Sequence, residues 1–372
     1  MHLREASYQL PRPGSSLSFN PNRLYASVAR CNVLSNASGR VLFAQELAAK
    51  AALEDFVDDG GINFGVTDDV NDLGDAKLTS IAHDIGAGIA NLYMDDMGYH
   101  WVANGKELLK SAGKKPDYVY DLGYVGSGYA LMEAKGSVGK SVKKSDMLAR
   151  VKKAYDKQVE PWLGSTANFR LLQQGYAIGT WARSGNDAEI IVHETEWPVA
   201  PAAVSVSGAS PSLPLAFLNY AAVFQLVGAP NISSALRHVS LRRSVVDLLS
   251  QERLYEIRLG GRPFLRGRNS SYVWYGRSPV PSHDPFLAIE SKKRYAFAID
   301  LEIAKEVLSA LRRPSVSLEE RLELPQIPWD LLRALREEGR AALFADGLAY
   351  LPSSKIVGRW QWGTLAGLTR EK

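Results

Sequence analysis

The stretches Pro116–Leu122 (PDYVYDL) and Tyr129–Ser137 (YALMEAKGS) decide how this chain is read. Each is rich in Tyr, Val and other strand formers, and the Gly-rich residues 122–128 make a turn between them, so the pair predicts a β-hairpin. In a strand, residues i and i+2 share a face. Glu133 and Lys135 therefore project together, Ala134 points away but offers its carbonyl, and the hairpin brings Asp117 beside them. Two carboxylates and a carbonyl make a hard oxygen site suited to Mg²⁺ or Mn²⁺. A lysine beside such a cation can orient or deprotonate a water and stabilise charge growing on phosphorus.

The flanking sequence supplies a framework. Ile81, Ile85, Ile89 and Leu92 form an apolar stripe that predicts a helix from Lys77 to about Asp96, ended by Gly98. Tyr99–Val102 reads as a strand. A further helix is expected from Ser145, as N-cap, to Val159, followed by strands at Tyr176–Ala182 and Glu189–His193. The order helix, three strands, helix, two strands describes an α/β unit around a small mixed sheet flanked by helices.

Upstream, residues 1–40 read as an irregular arm with one short strand, Leu24–Val33, and Leu42–Phe56 as a helix. Asp68–Asp75 is an acidic turn whose spacing does not match a calcium loop. The uncharged Pro-, Ser- and Ala-rich segment Pro198–Pro214 marks a boundary. The expected division is an N-terminal arm and helix at 1–76, a core at 77–197, a linker at 198–214 and a mixed α+β C-terminal domain at 215–372. Helices are expected in the last near 214–227, 240–253, 300–312 and 328–344.

Bulk properties narrow the class. The chain has 372 residues, 46% of them hydrophobic, and a net charge of +4, which is ordinary for a globular protein and compatible with nucleic acid without arguing for it. The one cysteine, Cys31, excludes an internal disulfide and reads as a small buried side chain; a reducing cytoplasm is the expected compartment. No signal-peptide pattern opens the chain, and Leu213–Pro230, broken by Pro214, Asn219 and Gln225, is too interrupted to span a membrane.

Pro116-Asp117 together with Glu133-Ala134-Lys135-Gly136-Ser137 resembles the signature of the PD-(D/E)xK nuclease superfamily. Gly86–Val102 is similar to that family's first helix and strand. The resemblance covers Lys77–Trp197, about a third of the chain. It implies a restriction-endonuclease-like core and Mg²⁺-dependent hydrolysis of DNA in bacterial restriction or anti-phage defence. Asp117, Glu133 and the Ala134 carbonyl would bind metal, and Lys135 would be the catalytic lysine. A homo-oligomer or a partner protein of a defence system is a further implied association. Many relatives carry a glutamate where Ala87 and Gly88 stand here; Asp84, one turn earlier, is the candidate substitute. Some place Gln and Tyr four apart on the next helix, where this chain has Gln158 and Trp162.

Two other readings stay open. The same fold can serve as an inactive nucleic-acid-binding or scaffold module. Alternatively, Ala134–Ser141 (AKGSVGKS) fits a looser phosphate-loop pattern, with Ala replacing the first glycine and Lys140 reaching phosphates. Gly139–Glu160 holds seven basic residues, among them Lys140, Lys143, Lys144 and Lys152. Arg237–Arg277 holds nine arginines interleaved with aromatics, and a turn at Gly260-Gly261 presents Arg262, Arg266 and Arg268. Both stretches are candidate nucleic-acid contacts; both also fit an ordinary solvated surface.

Overall fold

A computed structural model describes residues 2–7, 16–34, 53, 55–58, 64–123, 128–139, 142–183, 187–195, 210–238, 252–267, 274–275, 294–313, 319–338, 341–352, 356–363 and 367–370. The chain divides into two compact units. One is Met1–Asn219 with Ser317–Glu323, the other Tyr220–Val316 with Leu324–Lys372. The first unit thus takes in the residues expected as an N-terminal arm, and the division falls within a helix, Leu213–Val227, just past the expected linker. Most of that linker lies outside the described residues.

The first unit is an α/β assembly on a mixed sheet. Its elements are β1 (His2–Ser7), β2 (Ser16–Ser18), α1 (Pro21–Val33), the small pair β3 (Val57–Asp58) and β4 (Gly65–Val66), α2 (Asp75–Asp96), β5 (Trp101–Asn104), the single turn α3 (Gly105–Leu108), β6 (Tyr118–Asp121), β7 (Tyr129–Val138), α4 (Lys144–Ala154), β8 (Thr166–Ala167), β9 (Arg170–Arg183) and β10 (Asp187–Glu194). The sheet runs β2-β1-β10-β9-β7-β6-β5, with β8 paired to β9. The β5–β6–β7 strands are antiparallel, whereas β7 pairs with β9, and β1 with β10, in parallel. A parallel neighbour needs a crossover, and α4 supplies it between β7 and β9.

Residues Leu24–Val33, expected as a strand, are helical. Asn20 caps α1 by accepting from the Arg23 backbone N–H at 2.8 Å, and Pro21 occupies the first turn. The helical period is hidden because polar residues point inward. Arg23 pairs with Asp95 at 2.7 Å, Ser27 donates to the Gly88 carbonyl at 2.7 Å, and Arg30 donates to Asn219 Oδ1 at 2.5 Å. Most of the helix expected at Leu42–Phe56 falls outside the described residues. Residues Asp68–Asp72 form a 3₁₀ turn.

Glycines set the packing of α2. A Cβ at Gly88 would lie 2.4 Å from Val28 Cγ2, so α1 crosses α2 in close contact there. A Cβ at Gly136 of β7 would lie 1.6 Å from the Ala82 carbonyl oxygen, and one at Gly86 2.7 Å from Gly136 Cα. Helix α2 therefore lies directly on β7, one residue beyond Lys135. From β9, Gly179 makes room for Met147 and Val151 of α4. The expected N-cap, Ser145, lies inside α4; Lys143 occupies the cap position without a side-chain bond. After α4 the helix widens into one π turn, Tyr155–Val159, and closes as a 3₁₀ turn, Glu160–Trp162.

In the second unit, α5 (Leu213–Val227, from Tyr220) and α6 (Pro230–Arg237) accompany β11 (Arg253–Leu259), β12 (Arg262–Gly267), β13 (Trp274–Tyr275), β14 (Arg294–Asp300), α7 (Leu301–Leu311), α8 (Trp329–Glu338), β15 (Ala342–Leu343), β16 (Leu348–Pro352), β17 (Gly358–Gly363) and β18 (Gly367–Arg370). The sheet is antiparallel, in the order β15-β16-β14-β12-β11-β17-β18 with β13 on β14. Gly260 and Gly261 turn the β11–β12 hairpin with φ of 56° and 81°, a backbone that favours glycine. The helix expected at 328–344 stops at Glu338, and Ala342–Leu343 pairs with β16 instead. Of the helix expected at 240–253, residues 240–251 lie outside the described residues, and Arg253 opens a strand. No helix among the described residues is long and apolar enough to cross a membrane.

Candidate functional site

The β6–β7 register places Tyr118 opposite Met132, which sets Asp117 beside Glu133. Each carboxylate accepts from a backbone N–H of the facing segment. The Asp117 N–H donates to Glu133 Oε2 at 3.0 Å, and the Ala134 N–H donates to Asp117 Oδ2 at 3.1 Å. Lys135 Nζ and Gln158 Nε2 both donate to Glu133 Oε1. Glu133 is 2% exposed and Lys135 34% exposed, so the lysine bridges the buried carboxylate to the surface. Neighbours on β9 leave room for them, since Ala177 pairs with Glu133 and Gly179 with Lys135.

Gln158 sits in the π turn, where the wider coil changes which residues face the sheet; such turns recur at functional sites. Trp162, four residues after Gln158, donates its indole N–H to the Lys114 carbonyl at 2.7 Å. Asp84 lines a cavity of about 430 Å³ with Asp117, Cys31 and Tyr118. Positions 87 and 88 are committed elsewhere, because their carbonyls accept from Cys31 and Ser27 of α1. Cys31 is buried, and burial pushes its thiol up to about 12.

Charge at this site is unbalanced. Burial raises the Glu133 carboxyl to about 7; the Asp117 carboxylate adds to the rise and Lys135 opposes it. Burial also raises Asp84, against His83, Asn32 and Lys77. Two hard carboxylates crowded together with one lysine are the setting that a divalent cation relieves. Among the described residues no three His, Cys, Asp or Glu side chains gather as a metal cluster. A cation here would rest on Asp117, Glu133, the Ala134 carbonyl and water, a donor set that fits Mg²⁺ or Mn²⁺.

The folded protein holds the Glu133 proton more tightly than the unfolded chain does, so this group's contribution to stability is complete below about 4.5 and is lost as pH rises through about 7. In EDTA the melting temperature is expected to fall over that window, less so in Glu133→Gln, and Mg²⁺ should restore it at neutral pH. Identical melting profiles for both proteins in EDTA would contradict this.

The other sequence candidates are dispersed. Lys144 pairs with Glu189, and Lys152 with Asp156 at 3.6 Å. Lys143 is exposed. Arg262 donates to Asp300 Oδ2 at 2.5 Å, and Asp300 caps α7 through the Glu302 and Ile303 N–H groups. Arg266 is half-buried on β12. Lys140, Ser141 and Arg268 lie outside the described residues. Ala134–Val138, read alternatively as the start of a phosphate loop, are extended and pair with Ile178–Ala182.

Sequence reasoning missed Lys77, Asn104 and Lys106 as site residues; they share the cavity with Asp84, Asp117 and His83, a histidine close to the motif in sequence whose commoner reading is structural or surface. One local signal was available: Asn104 starts the α3 turn by accepting from the Lys106 N–H at 2.8 Å. Comparison with known protein families, with characterised proteins and with solved structures returned no match.

Proposed function

We propose that this chain is a Mg²⁺- or Mn²⁺-dependent nuclease that hydrolyses DNA phosphodiester bonds with Asp117, Glu133 and Lys135, on a restriction-endonuclease-like core. The observation that carries the reading is the interlock of Asp117 and Glu133 on adjacent strands, with Lys135 on the same carboxylate and a polar cavity alongside. Asp117, Glu133 and the Ala134 carbonyl would hold the metal, which when bound polarises the phosphoryl oxygen and lowers the pKa of water.

The residues divide the remaining work. Glu133 fixes the Lys135 ammonium at the strand surface, where it can orient the attacking water and stabilise the negative charge that develops on phosphorus. Gln158 shares the Glu133 oxygen and orients that carboxylate. Gln158→Ala is expected to lower the cleavage rate about 10-fold without abolishing it, as loss of an orienting partner commonly does; an unchanged rate would remove Gln158 from the site. A place in bacterial restriction or anti-phage defence follows only from the resemblance of the motif. Mn²⁺ titration followed by electron paramagnetic resonance tests the metal site. Stoichiometric binding weakened by Asp117→Asn supports the reading; no binding in the presence of DNA opposes it.

A further inference from the structure

The cavity beside Asp117 has a chemistry of its own. Asp117 belongs to both places: it is bonded to the Glu133 strand and it forms part of the cavity wall. Two further elements bring cations to that wall, Lys77 on the first turn of α2 and Lys106 on α3. Both lysines are exposed, so their ammonium groups are available to a ligand. The α3 turn is held against the site by backbone: the Gly105 N–H donates to the Asp117 carbonyl at 2.9 Å, and a Cβ at Gly105 would lie 2.0 Å from the Pro116 carbonyl oxygen. Lys106 is thereby kept next to Asp117.

Asn32, Ser80 and Asn104 add neutral donors and acceptors to the lining. At about 430 Å³ the cavity is at the small end of ligand pockets, which span about 300–1,000 Å³. It has room for one mononucleotide and none for a base-paired duplex. Lysines serve phosphates as point charges, and amide side chains read the edges of an unstacked base.

We propose that this cavity is a nucleotide subsite that takes one unpaired nucleotide of the substrate strand, next to the phosphodiester at Asp117, with Lys77 and Lys106 on its phosphate. The inference rests on the nuclease reading and narrows its substrate to strands with single-stranded character.

The test uses the full chain with Mg²⁺ and three substrates of one sequence: a single strand, a blunt duplex and a duplex with a single-stranded overhang. The single strand and the overhang are expected to be cut at least about 10-fold faster than the blunt duplex. Lys77→Ala and Lys106→Ala, both surface changes, should each raise KM about 10-fold with kcat nearly unchanged, the scale of one charge-assisted phosphate contact. Thymidine 5′-monophosphate should inhibit competitively. Equal cutting of all three substrates, with both lysine variants keeping the wild-type KM while Lys135→Ala is inactive, would overturn the subsite and leave the nuclease reading standing. No cutting of any substrate with Mg²⁺ or Mn²⁺ would defeat the nuclease reading, and the subsite with it.

Discussion

Glu133→Gln is expected to reduce metal-dependent cleavage by about 1,000-fold or more while the protein stays folded. The size follows from the several roles of one carboxylate: it would share the proposed metal site with Asp117, and it accepts from both Lys135 and Gln158. Removal of a single charge-stabilising group typically costs about 100- to 1,000-fold, and loss of a metal ligand removes the cation's contribution as well. The fold should survive because the glutamine matches glutamate in size and lifts the repulsion that, with burial, raises the native carboxyl. Single-turnover cleavage and a thermal melt, measured on the same preparation, check both halves. Wild-type cleavage by the variant would remove Glu133 from the chemistry; a collapsed melt would make it a structural residue.

The second large effect is on stability. Gly136→Ala is expected to destabilise the first unit by about 3 kcal/mol or more, the upper range for overpacking against an element that cannot yield. The added Cβ would sit 1.6 Å from the Ala82 carbonyl oxygen and 3.3 Å from Gly86 Cα, both backbone atoms of α2. Relief requires the helix to lift off β7, and Asp84 would move with it. A drop of roughly 6–12 °C in melting temperature corresponds to that energy. Gly164→Ala is a useful contrast, because no atom lies within 4 Å of its Cβ and only the φ of 78° is strained. A Gly136→Ala protein as stable as the wild type would mean that α2 does not rest on β7 as described.

The hairpin and the placement of Asp117, Glu133 and Lys135 on it were legible because they depend on local rules. Alternation along Tyr129–Val138 puts Glu133 and Lys135 on one face, and a short connection brings Asp117 alongside. Helix α2 was legible through its isoleucine stripe. What stayed hidden depends on partners far along the chain. Arg23, Ser27 and Arg30 are buried by residues 61 to 189 positions away, which conceals the α1 period. Arg262 looked like a free surface cation until Asp300, 38 residues on, claimed it. The π turn that delivers Gln158 has no sequence signature. Gly136 read as part of a motif, whereas its physical reason is the backbone of α2.

Lys135, held on Glu133 beside Asp117, is proposed to serve metal-dependent phosphodiester hydrolysis. The most direct measurement incubates the wild-type protein and Lys135→Ala with supercoiled plasmid and with a single-stranded DNA, each with Mg²⁺, Mn²⁺ or EDTA. Metal-dependent cutting by the wild type is expected, with none in EDTA and at least about a 100-fold loss in Lys135→Ala. Cutting that persists in EDTA, or that Lys135→Ala retains at the wild-type rate, would contradict it.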